Sequence, residues 1–375
     1  MPLTELRVAG YRSLRAIELP LGPLNVITGP NGSGKSNLYR VLWLLAQICE
    51  GNFAQALARE GGLLSAFWAG PPRDKKPKRM VFGFTTDEYS YQLSCGFPPP
   101  DSNPHTHFRF DAQIKEEAIW FGPRRKPTTT LLERKAGMTQ VRDAEGHSVQ
   151  FPLDLSENES VLSQLRDPHR FPELFLIRDA VRAWRFYHAF RTDADAPLRY
   201  SQVSVRTPVL SEDGSDLAAA LQTILEMGNR ERLHAAIREA LPGRALVIHD
   251  SNDEPPPRIT PRSMEFLVAL KTKGCTRDLL ARELSDGTLK FLCLAAALLS
   301  PRPPSLIALN EPEASLHPDV LPALARLIVD ASRHSQIWVT THSQPLATCI
   351  ANASGEPPIE LQLVDGETQI VPEDE

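Results

Sequence analysis

Hydrophobic residues recur along this chain at two spacings. In "PLNVITG", Leu24, Val26 and Ile27 make the short apolar run of a buried strand. In "NLYRVLWLLAQICE", Leu38, Val41, Leu42, Leu45 and Ile48 recur at helical spacing. Residues 79–95, "RMVFGFTTDEYSYQLSC", alternate around a "TDE" turn as an antiparallel hairpin does, and shorter strand-like pieces continue to about residue 152. Residues 160–240 read mainly as helices: "ESVLSQL", "PELFLIRDAVRAWRFYHAF", "DLAAALQTILEMG" and "ERLHAAIREAL". "RALVIHD" and "SMEFLVALKTKG" return to strands. From Leu284 helix and strand alternate: helix 287–299, strand 305–309, helix 319–333, strand 336–341. A last hairpin, "IELQLVDGETQIV", closes on Asp365-Gly366. No heptads run over several repeats, and there is no internal repeat.

Between the first strand and helix lies "TGPNGSGKS", Thr28 to Ser36. It holds G-x-x-x-x-G-K-S in the strand–loop–helix context that a phosphate-binding loop requires. Glycines let successive N–H groups turn inward around a phosphate. The helix N-terminus adds partial positive charge. Asn31, Gly32, Ser33, Gly34, Lys35, Ser36 and Asn37 are the expected nucleotide contacts. Lys35 would reach the β- and γ-phosphates, and Ser36 would ligate Mg²⁺.

Two distant stretches extend this to ATP hydrolysis. In "SLIALNEPEASLHP", Leu306 to Leu309 form a buried strand, and Asn310 and Glu311 fall at its carboxyl end, where open α/β sheets bind ligands. Glu311 could orient or deprotonate the water that attacks the γ-phosphate. "IWVTTHS" is another strand, ending in His342, which is either a γ-phosphate contact or a structural loop histidine. In "ELSDGTLKFLCLAAALL", Ser285 is a natural N-cap of a core helix. The same N-terminus could also serve as a second phosphate site.

Composition adds limits. The chain has 375 residues with 42% hydrophobic and 23% charged, an ordinary globular balance. A net charge of −5 means that any nucleic-acid contact must come from local patches. The five cysteines form no C-x-x-C pair and read as reduced residues of a cytosolic protein. "MPLTELRVAGYRSLR" carries charges where a signal peptide needs an apolar core, and no run is apolar enough to span a membrane. The chain is therefore expected to be cytoplasmic, with no membrane partner. The proline clusters "FPPPDSNP" and "DEPPPRITP" mark loops.

"GPNGSGKS", "LSDGT", "LNEPEASLHP" and "VTTHS", in this order, resemble the Walker A, signature, Walker B/D-loop and switch-histidine motifs of ABC-type ATPases. The resemblance is nearest to the RecF/SMC-like branch, which also includes many predicted AAA-type ATPases. "LRVAGYRSLRAIELPLGPLNVITGPNGSGKSN" is similar to a RecF start. The matching blocks cover residues 1–50 and 280–345, and the middle matches only loosely, through "LSEDGSDLAAALQ".

The resemblance implies an α/β P-loop NTPase fold: an ABC-type ATPase head with a mixed sheet and an inserted, mostly helical lid. On that reading residues 1–158 are an N-terminal ATPase lobe, 159–245 the lid and 246–375 a C-terminal lobe. It further implies ATP and Mg²⁺ as cofactors and a homodimer that closes on two ATP molecules. Ser285 and Gly287 would touch the γ-phosphate held by the other subunit. Glu311 would be the catalytic base, Ser315 to His317 the loop crossing the interface, and His342 the switch. Gln164, in "VLSQL", is the candidate for the glutamine that senses Mg²⁺ and water, or else an exposed helix glutamine. One departure stands out: Asn310 occupies the place of the family's aspartate. An amide can hold a Mg²⁺-bound water by hydrogen bond but lacks the charge, so slower turnover is expected.

Between Ser36 and Leu284 the chain is longer than in a transporter subunit and has no SMC-type coiled coil, so a RecF-like lid is expected. Two basic runs, Arg73–Arg79 and Arg124–Lys126, could neutralise phosphates or be solvated loops. "RAWRFYHAF" reads as an amphipathic core helix. The residues after His342 are too few for a Toprim or other nuclease domain, so no intrinsic nuclease is expected. The leading expectation is an ATPase whose dimerisation gates DNA binding or partner recruitment in repair, genome maintenance or defence. The alternatives are an ATP-sensing regulatory subunit with little turnover and a transporter's nucleotide-binding subunit.

Overall fold

A computed structural model describes residues 1–70, 79–99, 107, 108, 110–135, 137–152, 155–250 and 265–372. All of "RDKKPKR" except Arg79, most of "FPPPDSNP" and all of "DEPPPRITP" lie outside the described residues.

Compactness divides the chain into two interleaved units. One comprises Met1–Gly22, Gly29–Trp184 and Ile359–Glu375, and the other Pro23–Thr28 and Arg185–Pro358. The physical reason is a single strand. Leu24–Thr28 pairs in parallel with Gln336–Thr340, more than three hundred residues away, so six N-terminal residues belong to the C-terminal unit.

The first unit is built on an eight-stranded antiparallel sheet. Its order is Leu14–Pro20, Leu3–Tyr11, Met80–Thr86, Tyr89–Gly96, Gln113–Phe121, Thr130–Lys135, Met138–Arg142 and Ser148–Pro152. The expected hairpin around "TDE" is its centre. Tyr11, Phe82, Phe84 and Tyr91 are fully buried along it. The helix Lys35–Glu50 packs on this sheet and on the helix Pro172–Arg182. Glu117 is enclosed in the sheet, where Tyr91 Oη (3.0 Å), Ser160 Oγ and the Val161 N–H (2.9 Å) donate to its carboxylate. Burial raises its pKa, and these donors oppose the shift.

The second unit centres on a parallel sheet in the order Arg185–Tyr187, Leu306–Asn310, Gln336–Thr340, Leu24–Thr28. Leu306 to Leu309 and all of Gln336–Thr340 are buried, the continuous pattern of parallel strands covered on both faces. Helices Leu217–Met227, Asp286–Leu298 and Leu321–Ala331 share the apolar core with these strands. A smaller antiparallel sheet includes Arg244–Asp250 and Glu265–Thr272.

One expectation fails here. "RAWRFYHAF" is not a helix: the helix stops at Arg182, and Arg185–Tyr187 is a strand paired in parallel with Ile307–Leu309. Burying Phe186 and Tyr187 at the sheet edge outweighs helical spacing that continues past Arg182. The final hairpin, Ile359–Val364 and Glu367–Ile370, forms as expected, with Asp365 and Gly366 both at positive φ.

Trp338 is fully enclosed, and its indole N–H has no hydrogen-bond partner among the described residues. Trp338→Ala is expected to cost about 3–5 kcal/mol of stability by opening a cavity. Trp338→Phe should cost less than half as much, because it also removes an unsatisfied donor. Denaturant unfolding of the two variants measures the ratio.

Candidate functional site

The glycine-rich loop follows the strand Leu24–Thr28 directly and runs into the helix that begins at Lys35. Gly29, Gly32 and Gly34 all take positive φ, which L-residues rarely adopt. Two of them are also closely approached. A Cβ on Gly29 would lie 2.3 Å from the Leu361 carbonyl oxygen, and one on Gly34 2.1 Å from Thr368 Oγ1. The C-terminal hairpin therefore grips the loop from outside. Ser13 joins the two: its Oγ lies 2.7 Å from Thr368 Oγ1 and accepts from Asn37 Nδ2 at 2.8 Å. Lys35 Nζ donates to the carbonyls of Gly29 (2.6 Å) and Pro30 (2.8 Å). Lys35 and Ser33 are buried, whereas Asn31, Gly32 and Ser36 are exposed.

In the second unit, three parallel strands end side by side at Thr28, Thr340 and Asn310. Thr340 Oγ1 donates to Asn310 Oδ1 at 2.7 Å, so the amide is oriented by the neighbouring strand. Glu311 takes a left-handed φ of 47°, a strained choice for a residue with a side chain. Its N–H donates to the Thr340 carbonyl (2.8 Å), and its carbonyl accepts from Lys290 Nζ (3.1 Å). These bonds turn the backbone out of the sheet and leave the carboxylate 40% exposed. His342 Nδ1 lies 3.5 Å from Glu311 Oε1 and 3.7 Å from Glu313 Oε1. The structure thus brings the predicted Asn310, Glu311 and His342 together.

Two further charged groups belong to this cluster. Glu313 is buried; one carboxylate oxygen accepts from Thr341 Oγ1 at 2.5 Å, and the other has no partner among the described residues. Lys290 is held below the ordinary lysine range by burial, although Glu313 and Glu311 oppose the shift. Glu313 follows Glu311 at i+2, and Lys290 occupies an apolar-looking helix, so neither carries a signal in one dimension.

Ser285 caps the helix Asp286–Leu298 as expected, accepting from the Thr288 N–H. A Cβ on Gly287 would sit 2.4 Å from the Ser315 carbonyl oxygen, so this helix start packs directly on the loop after Glu311. Ser315 itself has φ 66°. An open concavity of about 670 Å³ lies here, lined by Ser285, Gly287, Ser315, His317 and Arg244 among others. Arg199, not marked out by the sequence, braces the turn from beneath. Its buried guanidinium donates to the carbonyls of Ala281, Leu284, Thr192 and Asp193 and to the Asp286 carboxylate.

Gln164 lies in the first unit, where its side chain has a local task. Its Oε1 accepts from the Ser156 N–H (2.8 Å), and its Nε2 donates to the carbonyls of Ser156 and Glu159. Those bonds close the loop before its helix. Of the basic residues, Arg79 pairs with Glu116 and Arg125 with Glu133. Arg125, Lys126 and Arg142 line a groove of about 490 Å³ on the first unit. Among the described residues no helix is long and apolar enough to cross a membrane.

A family profile described as "AAA domain, putative AbiEii toxin, Type IV TA system" matches residues 24–347. Two curated proteins match a short segment. An OLD nuclease of Thermus scotoductus is 49% identical over 43 residues, 12% of this chain and 8% of that protein. The DNA replication and repair protein RecF of Magnetococcus marinus is 51% identical over 47 residues, 12% of each chain. Among solved structures, an Smc head bound to the C-winged helix domain of ScpA superposes with a TM-score of 0.53 at 16% identity, over 99% of this chain and 98% of that one. That likeness fixes the fold as an ABC-type ATPase head, as the motifs implied.

Gly287→Ala is expected to destabilise the protein by about 1–3 kcal/mol, because backbone lies on the far side of the clash and cannot swing away. The loss should appear in denaturant unfolding without nucleotide.

Proposed function

The chain belongs to this AAA-domain family, an ATPase class of the SMC/RecF/ABC-like P-loop kind, and from that premise we propose that it is an ATP-driven switch. It binds and slowly hydrolyses ATP, dimerises around it, and thereby gates contact with DNA or a protein partner. The observation that carries this reading is the edge of the parallel sheet. There Glu311 and His342 lie 3.5 Å apart at two strand ends, and the neighbouring strand ends at Thr28, where the phosphate-loop sequence begins.

Each residue then has a task. N–H groups from Asn31 to Asn37 surround the β-phosphate, and Lys35 exchanges its bonds to two carbonyls for contacts to phosphate oxygens. Ser36, exposed in the first helical turn, and the neutral amide of Asn310 are oxygen donors that suit Mg²⁺, which when bound offsets phosphate charge. Glu311, partly open to solvent, orients the attacking water and takes its proton. His342, held beside two carboxylates, contacts the γ-phosphate. Without a carboxylate at position 310 the site would hold Mg²⁺ with less charge, and turnover would be slow.

The signature patch supplies the second half of the site across a dimer. Ser285 and Gly287 contact the γ-phosphate bound by the other subunit, and Ser315 to His317 lie along the interface. The γ-phosphate makes contacts that ADP lacks, which allows the nucleotide to shift the monomer–dimer equilibrium. The DNA role draws on the match to RecF, named as a replication and repair protein, and on the basic groove at Arg125, Lys126 and Arg142. Asn310 also favours a second reading: an ATP sensor within a larger complex, with little turnover.

Two tests address the nucleotide. Lys35→Ala should lower ATP affinity at least about tenfold, the loss of one charge-assisted contact of about 1.5–3 kcal/mol. Glu311→Gln should keep ATP affinity and lose turnover. Calorimetric titration and phosphate release measure both, and unchanged ATP affinity in folded Lys35→Ala would sink the assignment of the loop.

Assembly is tested in the Glu311→Gln protein by light scattering. The mass should double with ATP–Mg²⁺ and not with ADP. Ser285→Arg should abolish the doubling and leave ATP binding to the monomer intact. A monomer under both nucleotides would favour the sensor reading.

A further inference from the structure

At the carboxyl end of the helix Lys35–Glu50 lies a pocket of about 320 Å³ within the first unit. It is lined by Cys49, Glu50, Asn52, Arg166, Arg178 and Arg182: three arginines against one carboxylate. Arg166 and Arg182 are exposed, but Arg178 is only 8% exposed. Its Nε is buried with no hydrogen-bond partner among the described residues. Its guanidinium carbon sits 5.5 Å from the centroid of the Phe175 ring, a contact that fixes the group without neutralising it. Burial, then the charges of Arg166 and Arg182, lower the Arg178 pKa, and Asp179 and Cys49 only partly oppose them.

Such an arrangement is costly in an isolated chain. A buried charge ordinarily requires a partner and filled hydrogen bonds. Arginine cannot escape the cost by losing its proton. Two further like charges at the same pocket add to it. A multiply charged anion with several oxygens would remove the penalty, and the planar guanidinium fork matches phosphate oxygens in pairs. The volume accommodates a phosphate group with room for an attached sugar. Ser163 supports the rim by accepting Arg166 Nε through its carbonyl at 2.7 Å, which leaves that residue's terminal nitrogens for a ligand.

We propose that Arg166, Arg178 and Arg182 form a phosphate-binding site separate from the glycine-rich loop. Its ligand is a phosphate group, carried either on a nucleic-acid backbone or on a small molecule. The site stands independently of the ATP reading.

The experiment uses the full chain carrying Lys35→Ala, so that the loop lysine cannot supply the response. In that background Arg178→Met and the double variant Arg166→Ala/Arg182→Ala are compared with the parent. One probe is inorganic phosphate, read as a thermal shift at constant ionic strength against chloride. The other is a labelled oligonucleotide, single- or double-stranded, read by fluorescence anisotropy. Phosphate should raise the melting temperature of the parent and not of either variant. Without phosphate, Arg178→Met should melt no lower than the parent, since relief of a buried unpaired charge offsets the lost ring contact and no hydrogen bond among the described residues is lost. Oligonucleotide affinity falling about tenfold in both variants would identify a nucleic-acid backbone as the source. An unchanged oligonucleotide affinity with a lost phosphate shift would identify a small phosphate ligand. Equal responses of parent and variants to both probes, or no response of the parent to either, would overturn the site. If Arg178→Met unfolds, the exposed double variant decides by the same criteria. ATP affinity of the double variant with Lys35 intact should be unchanged, which separates this outcome from a failure of the nucleotide loop.

Discussion

The parallel pairing of Leu24–Thr28 with Gln336–Thr340, and of that strand with Leu306–Asn310, is the constraint on which the rest depends. Parallel strands in adjacent positions must end at the same edge. Two neighbouring C-terminal segments and a third from the far N-terminal part of the chain therefore deliver Thr28, Asn310, Glu311 and His342 to one side of one sheet. The cost is a long-range closure that no local interaction offsets, and continuous burial of the three strands supplies the compensation.

Around that edge the chain accepts strain in return for position. Glu311 and Ser315 adopt left-handed φ values that glycine would take freely. Glu311 cannot be glycine if its carboxylate is to act, so bonds from Lys290 and to Thr340 hold it in place. Gly287 shows the opposite solution: the signature helix comes so close to the Ser315 carbonyl that only a missing side chain fits. Arg199 ties the preceding turn through several carbonyls at once. A rigid start to this helix suits the proposed contact with a second subunit's nucleotide, which would then need no prior reordering.

The phosphate loop is held from a different direction. The hairpin near the C-terminus lies against Gly29 and Gly34, and the chain Asn37–Ser13–Thr368 joins the loop's helix, the first strand pair and that hairpin by hydroxyl and amide groups. Replacing either glycine would therefore meet both unfavourable φ and a neighbouring atom. The spacing of the loop is a sequence property, but its rigidity comes from residues at both ends of the chain.

Much was legible without coordinates. Periodicity located the helix after the loop, the hairpin around residues 86–89, the capped helix after Ser285 and the turn at Asp365-Gly366, because each is fixed by neighbours within a few residues. The motifs picked out Glu311 and His342 as candidates, since a buried strand followed by a polar residue is a local pattern. What sequence could not decide was every choice made by distant contact. Arg185–Tyr187 became a strand because the sheet edge offered burial to Phe186 and Tyr187. Gln164 was taken up by the loop at Ser156. Glu313, Lys290 and Arg199 acquired their roles from partners that one dimension does not place beside them. The sequence determined which loop has the glycine spacing of a phosphate-binding loop and which buried strand is followed by a carboxylate, through spacing and backbone chemistry alone. Only the tertiary structure decided which of those groups meet, because long-range pairing and burial, not local preference, set the distances between them.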